Sequence, residues 1–202
     1  MDHLRYVLGV AMAIAIPPGV LYWLLIHPWA GWWRRGGPVF TYCAVLPVIA
    51  ALGVLLFQVR RQLMGANLGT NWNLVGVALI VSCADIWLEA QYWRQLSLST
   101  LVGIPELSQR RKGTLLRSGI YGVVRHPRYL SAGIGLAASV LIVNYRGLYI
   151  LAVSLAPPGY LALILEEREL RDRFGDAYRQ YQREVPQLIP RLREIRKLIR
   201  GA

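Results

Sequence analysis

The chain has 202 residues, 55% of them hydrophobic, and a formal net charge of +12. A chain this apolar and this basic fits a membrane protein whose spans alternate with basic loops. It fits a nucleic-acid binder poorly, because its basic residues flank apolar runs and so suit anionic lipid headgroups. No Cys-x-x-Cys, clustered histidine, Gly-rich phosphate loop or nucleophile elbow occurs, so neither a metal centre nor those chemistries are expected.

The length suits one domain, here a single membrane domain over residues 1–202. Its first apolar run, residues 6–26, meets the requirement of about 20 residues per crossing. Pro17-Pro18-Gly19 predicts a break in the middle of it. Residues 27–38 form a turn in which Trp29, Trp32 and Trp33 accompany Arg34 and Arg35, a mixture that marks the membrane–water interface. The second and third spans are expected over 39–59 and 74–93, separated by Arg60-Arg61 and a loop. Asp85 and Glu89 lie four apart on one face of the third span. Intramembrane carboxylates serve either function or helix association, and both readings stay open here. Cys43 and Cys83 sit inside apolar runs, which predicts small buried side chains rather than a disulfide.

Residues 94–128 are the longest polar segment. They end in Ser118-Gly119-Ile120-Tyr121-Gly122-Val123-Val124-Arg125-His126-Pro127-Arg128-Tyr129, the densest chemistry in the chain. Proline restricts the residue before it and suits the first turn of a helix, so a helix is expected to begin at Pro127 with Arg125 and His126 just outside. Its free N–H groups suit an anion. The fourth span, 129–143, carries Ser131, Gly135 and Ser139 every four residues. Asn144–Gly147 reads as a tight turn, so a fifth span, 148–165, folds back as a hairpin; Pro157-Pro158-Gly159 interrupts it. Past Leu165 come Glu166-Glu167-Arg168-Glu169, then Leu170, Phe174, Ala177, Tyr178 and Tyr181 at helical spacing. This predicts an amphipathic surface helix ended by Val185-Pro186, with a second basic piece over 191–200. The expected fold class is an all-α integral membrane protein of five transmembrane helices with a cytoplasmic amphipathic C-terminal helical tail.

Five spans place Arg5, Arg60, Arg61 and Arg146 on one side and the rest of the 23 lysines and arginines on the other. The positive-inside rule then puts the carboxyl terminus in the cytoplasm and the amino terminus outside, as in a bacterial inner membrane. Arg125-His126 and Glu166-Glu167 share the cytoplasmic face of one hairpin and become neighbours. Such a cationic cluster facing an anionic one matches a zwitterionic amino acid. Arg125 and His126 would hold a carboxylate, Glu166 an ammonium group, and Tyr121 and Tyr129 a flat ring or a cation. S-adenosylmethionine has all these features, and a lipophilic acceptor would arrive from the lipid. Were the acceptor to lose a proton, Glu167 would be the candidate base. The alternative is that these charges simply pair with each other and with lipid phosphates, Glu167 with Arg171 and Glu169 with Arg173 as helix pairs.

These residues resemble the isoprenylcysteine carboxyl methyltransferases, within the wider group that includes phospholipid methyltransferases. The matching pieces are Gly119-Ile120-Tyr121, Arg125-His126-Pro127-Arg128-Tyr129, and Glu166-Glu167 followed by Leu170, Phe174-Gly175, Tyr178, Tyr181, Val185-Pro186 and Ile189-Pro190, across residues 113–191. The resemblance implies a cytoplasm-facing S-adenosylmethionine pocket roofed by the chain after the last span and reached by an acceptor through the membrane. It implies cofactor contacts from Gly113, Thr114, Leu115, Leu116, Tyr121, His126, Pro127, Arg128, Tyr129 and Glu166, with Arg125 and Glu167 at the chemistry. Two departures stand out: the approach reads Gly113-Thr114-Leu115-Leu116 without the family's frequent histidine, and Ala162 replaces an arginine suited to a prenylcysteine carboxylate. The expected activity is methyl transfer to a lipophilic or small acceptor, an isoprenylcysteine-like carboxylate, a lipid amine or a thiol. The competing readings are a reductase of the sterol-reductase type and a small transporter using Asp85 and Glu89.

Overall fold

An apolar run inside a bilayer must satisfy its own backbone, and the helix does so within one segment. The computed structural model describes residues 2–96, 107, 114–194 and 196. Among them are α1 (Asp2–Ile26), α2 (Ala30–Gln58), α3 (Arg60–Met64), α4 (Trp72–Trp93), α5 (Pro127–Val143), α6 (Arg146–Phe174) and α7 (Asp176–Glu184). Short 3-10 turns occupy His27–Trp29 and Gly119–Gly122. Among the described residues there is no strand, only an isolated antiparallel bridge between Asn67 and Tyr145.

Three stretches are long and apolar enough to cross a membrane: Asp2–Gln58, which takes in α1 and α2, Trp72–Trp93 and Arg146–Phe174. The protein is an integral membrane protein. Its helix α5 is apolar but shorter. Ile80 and Ile86 on α4 and Val153 on α6 stand exposed, as lipid-facing side chains do. Cys43 and Cys83, expected to be buried, are free and exposed on the same kind of surface. A thiol behaves as a small hydrophobe and is as compatible with lipid as with a core.

The proline pairs do not break their helices. Pro17-Pro18 and Pro157-Pro158 lie inside α1 and α6, which continue through them. Each proline removes a backbone bond, and α1 is held by packing against α2 and α6. The departure from helical geometry falls instead at Gly37, with φ 78°, ahead of Pro38. Glycine takes that conformation without a Cβ clash. The interfacial Trp32, Trp33 and Arg34 therefore sit on a helical turn rather than in a loop. At the other end of the chain, α6 outruns its apolar part and continues to Phe174 before Gly175, φ 57°, stops it. Glu166 to Arg173 thus belong to the helix of the fifth apolar run, with α7 a separate helix after them; most of the second basic piece, 191–200, lies outside the described residues.

Helix ends gather in two groups. At one end, Arg5 is buried and fastens α1 to the turn between α5 and α6. Its guanidinium donates to Val143 O at 3.0 and 2.8 Å, to Asn67 Oδ1 at 2.9 Å and to Asp2 Oδ1 at 2.8 Å. Asn144 turns left-handed at φ 52° to close α5, while Arg146 N donates to Ala66 O at 3.0 Å. Gly147 is required there, because a Cβ would fall 1.7 Å from Leu63 O. Val10, Ala13, Met64, Val140, Val143 and Leu148 form the apolar cluster beneath. The opposite end collects His27, Arg34, the segment before Pro127, Glu166, Glu169 and α7.

Between the two ends, α4 packs along α5. Ser131 Oγ donates to Asp85 Oδ1 at 2.6 Å. Gly135 makes room for that carboxylate, since a Cβ there would lie 2.5 Å from Asp85 Oδ2. Tyr92 OH donates to Glu89 Oε1 at 3.2 Å. Both carboxylates have local partners on α4 and α5, the arrangement of helix association.

Replacing Arg5 with Met keeps the stem and removes every donor, leaving the Val143 carbonyl without the two bonds it accepts from Arg5. Unfolding of the detergent-solubilised protein is expected to lose about 2–3 kcal/mol. An unchanged denaturation midpoint would contradict this account.

Candidate active site

The site begins at a change of backbone. His126, at φ −121° and ψ 64°, precedes Pro127, which opens α5. Arg125 and His126 therefore lie just outside the helix, as the His-Pro step predicts. Their N–H groups find partners in another extended stretch: Arg125 N donates to Pro186 O at 2.9 Å and His126 N to Gln187 O at 3.1 Å. The segment after α7 is thus laid against the segment before α5, which closes a roof over the end of α6.

Glu167 is the post that holds this roof. Its Oε1 accepts from Arg125 Nε at 2.8 Å and Arg125 Nη2 at 2.6 Å, and lies 3.1 Å from His126 Nε2. Gln182 Nε2 donates to its Oε2 at 3.0 Å. The remaining guanidinium nitrogen, Arg125 Nη1, donates to Gln182 O at 3.0 Å and to Val185 O. Side chains of Arg125 and Glu167 are each only 9% exposed. Spacing alone made Arg125 a carboxylate clamp and Glu167 a candidate base; in the structure each is saturated, chiefly by the other.

Glu166 is in a different state. Successive helix residues turn by about 100°, so its carboxylate faces the other side of α6. Its Oε1 is 4.0 Å from His126 Nδ1 and its Oε2 is 3.8 Å from His27 Nε2. Among the described residues no hydrogen bond of normal length reaches it. The buried Tyr129 hydroxyl lies beside it, and both ring nitrogens of His27 lack a hydrogen-bond partner among the described residues. The Glu166 side chain is 26% exposed, against 9% for its neighbour. A partly exposed carboxylate beside buried polar groups can attract a cation.

The other expected residues surround it. Arg128 extends over the Trp23 ring at 5.7 Å, and the His126 and Tyr129 rings meet edge to face at 5.7 Å. Tyr121 lies under the roof, where burial pushes its hydroxyl up to about 12. Tyr181 donates from its hydroxyl to Tyr121 O at 2.5 Å. Burial holds the Tyr178 and Tyr181 hydroxyls above the usual tyrosine range, so both stay protonated donors at neutral pH. Leu115 packs on the Tyr178–Tyr181–Val185 cluster with Leu170 and Phe174. Thr114 and Leu116 flank it in an irregular segment, and Gly113 lies outside the described residues. Gly119, at φ 56°, lies where a Cβ would strike Gln95 Nε2 at 1.8 Å. Arg117 Nη2 pairs with Glu184 Oε2 at 2.7 Å and fastens the approach to α7.

Residues absent from the sequence expectation also take part. Trp23 comes from α1, His27 from the turn after it, and Gln182 from α7. Arg34 pairs with Glu169, which is also 3.6 Å from Arg173 Nη1, the helix pair expected from spacing. Apart from that pair, these partners are far apart in the chain, and no local period announces them.

No family model matches the chain. It is 38% identical over 176 residues to methanethiol S-methyltransferase 2 of Bradyrhizobium diazoefficiens, covering 80% of this chain and 64% of that one. Methanethiol S-methyltransferase 1 of the same organism is 36% identical over 102 residues, 47% of this chain and 31% of its own length. Protein-S-isoprenylcysteine O-methyltransferase of Schizosaccharomyces pombe is 36% identical over 85 residues, 41% of this chain and 36% of its own. The chain is a relative of these methyltransferases. It spans between about a third and just under two thirds of their length. The family resemblance is thus matched by relatives named for methyl transfer to methanethiol and to isoprenylcysteine.

Glu167→Gln would leave the Arg125 guanidinium buried without its counter-charge. The expected loss is about 3 kcal/mol, seen as a lower unfolding midpoint and faster proteolysis after α7. Tyr181→Phe, which removes one hydrogen bond, is expected to cost about 1 kcal/mol. Equal and negligible effects from both variants would rule out the clasp.

Proposed function

We propose that the protein is an integral membrane methyltransferase that takes its methyl group from S-adenosylmethionine and gives it to a small thiol. The observation that carries this reading is the contrast between the two adjacent glutamates. Glu167 is saturated and buried, while Glu166 has only the Tyr129 hydroxyl beside it and two imidazoles at 3.8 and 4.0 Å. A spare carboxylate beside a helix start fits a molecule that is both cation and anion.

Glu166 would hold the ammonium group, with the Tyr129 hydroxyl beside it. The free N–H groups of the first turn of α5, with Arg128 and His126, would hold the carboxylate. Tyr121, Thr114, Leu115 and Leu116 would line the remaining volume, with Gly113 before them. Pro127 fixes where the helix start points. When bound, S-adenosylmethionine supplies a methyl group on a positively charged sulfur. The chain's own part is to orient that group and keep water out, and in-line positioning supplies most of what such a transfer needs. Arg125 and Glu167 act in this reading as the clasp that builds the roof, rather than as groups that exchange protons with the acceptor.

Ala162 argues about the acceptor. It lies one turn before Glu166 on α6 and is 2% exposed. An alanine offers no charge to a substrate carboxylate, so a neutral thiol suits this wall better than a prenylcysteine acid. The relative aligned over most of this chain is named for methanethiol. The apolar stretches are read as five crossings, with α1 and α2 each spanning once. The site then lies on the cytoplasmic side, where the cofactor is made available, and the amino terminus lies outside. The acceptor enters from the lipid. No observation favours the reductase reading, and the Asp85 and Glu89 contacts on α4 and α5 leave little for the transporter reading.

Purified protein in detergent is expected to bind S-adenosylmethionine calorimetrically and to methylate methanethiol with a labelled donor. Glu166→Gln should lower donor affinity at least about tenfold, the scale of one charge-assisted hydrogen bond, without moving the unfolding midpoint. Absence of any binding heat in the folded wild-type protein would overturn the proposal.

A further inference from the structure

His27 lies outside every motif that carries the resemblance, yet the fold brings it to Glu166. It is contributed by the turn between α1 and α2, and its side chain is 1% exposed. Its ring stacks on Trp23 at 5.1 Å with an interplanar angle of 13°. The guanidinium of Arg128 also lies over that indole, at 5.7 Å. Neither ring nitrogen has a hydrogen-bond partner among the described residues. A buried imidazole with both nitrogens unpaired is costly, so its retention at this place calls for a reason beyond packing.

The reason offered by the geometry is the 3.8 Å separation of Nε2 from Glu166 Oε2. That distance is too long for a hydrogen bond to neutral imidazole and short enough for an ion pair with imidazolium. The charged and titratable groups facing His27 are Glu166 and Arg173 from α6, His126 before α5, and Arg128 on α5. Glu166 is thus the anion of the set. His126 is held through its Nε2 to Glu167, at 3.1 Å.

We propose that His27 is a positioning residue that makes cation binding at Glu166 proton-linked. Neutral His27 leaves the full charge of Glu166 to a ligand ammonium group. Protonated His27 pairs with Glu166, turns the carboxylate towards α1 and competes with that ligand. Binding a cationic amine therefore expels a proton from His27, and lowering pH weakens binding. The N-terminal hairpin, which contributes nothing to the signature motifs, in this way sets the strength of the site. This inference rests on the reading of Glu166 as the ammonium-binding group.

The test is calorimetry of S-adenosylmethionine binding to the full-length protein in detergent, at several pH values, in two buffers of different ionisation enthalpy. The expected result is release of up to one proton per bound ligand on the acid side of the histidine range, with affinity falling by up to about tenfold per pH unit there. His27→Gln keeps the size and neutral polarity of the ring and should release fewer protons and flatten the pH dependence, while binding near pH 8 is retained. Trp23→Leu, which removes the stacking platform, should shift the midpoint of that dependence. Wild-type binding whose heat is independent of buffer, or a His27→Gln protein that releases as many protons as wild type, would overturn the inference and leave the methyl-donor reading standing. No binding at any pH would overturn both.

Discussion

The ion pair between Arg125 and Glu167 is the contact on which this end of the molecule depends. It joins a residue before α5 to a residue of α6, and through Arg125 it reaches the carbonyls of Gln182 and Val185 as well. A buried pair of this kind adds little net stability over an apolar pair of the same shape, but losing one partner strands the other charge. Its value is therefore geometric. It permits one arrangement of hairpin and tail, the one in which the backbone of Arg125 and His126 meets Pro186 and Gln187. The segment before α5, the end of α6 and the segment after α7 are all positioned by the same guanidinium.

Saturating Glu167 has a second effect, on its neighbour. Because Arg125 Nε and Nη2 and His126 Nε2 are directed to Glu167, Glu166 is left without a strong charged partner at hydrogen-bond distance among the described residues. Two adjacent carboxylates of identical chemistry are divided by the pitch of the helix into a structural post and an open acceptor. At the other end of the molecule Arg5 plays a comparable joining role without leaving any unfilled partner: its donors close on Val143, Asn67, Asp2 and Thr70. Among the described residues, the Arg5 end is closed by hydrogen bonds while Glu166 at the other end is not, which agrees with the proposed site.

Much of this arrangement was legible in the sequence because it is local. Pro127 fixes a helix start, Asn144-Tyr145-Arg146-Gly147 fixes a hairpin, and the step from Leu165 to Glu166 fixes where apolar character stops. The hairpin then forces Arg125 and Glu167 together. What was not legible depends on contacts between distant helices. The proline pairs predicted breaks, yet α1 and α6 run through them. The two cysteines lay in apolar runs, and hydropathy cannot tell a core face from a lipid face. His27 read as one interfacial residue among several tryptophans, since its stacking on Trp23 and its approach to Glu166 need the packed fold. The roles of Arg125 and Glu167 were open for the same reason: spacing gives proximity but not the count of donors.

The depth of the site follows from where polarity changes along α6. From Leu148 to Leu165 this helix is apolar apart from Ser154, so lipid fixes its height; from Glu166 to Arg173 it is charged. Being one continuous helix, it cannot adjust the two parts separately. The first charged residue after the apolar run must therefore stand at the edge of the hydrocarbon, and that residue is Glu166. A carboxylate there is reachable from water for a charged ligand and adjacent to lipid for an apolar one. Moving it one turn deeper would surround it with hydrocarbon and favour its neutral form. Moving it one turn outward would place it among solvated charges, where attraction for a cation is weak. In the proposed reading, the step in polarity at Leu165–Glu166 thus sets how near Glu166 stands to water and to lipid, and with that the strength with which it acts on a cation.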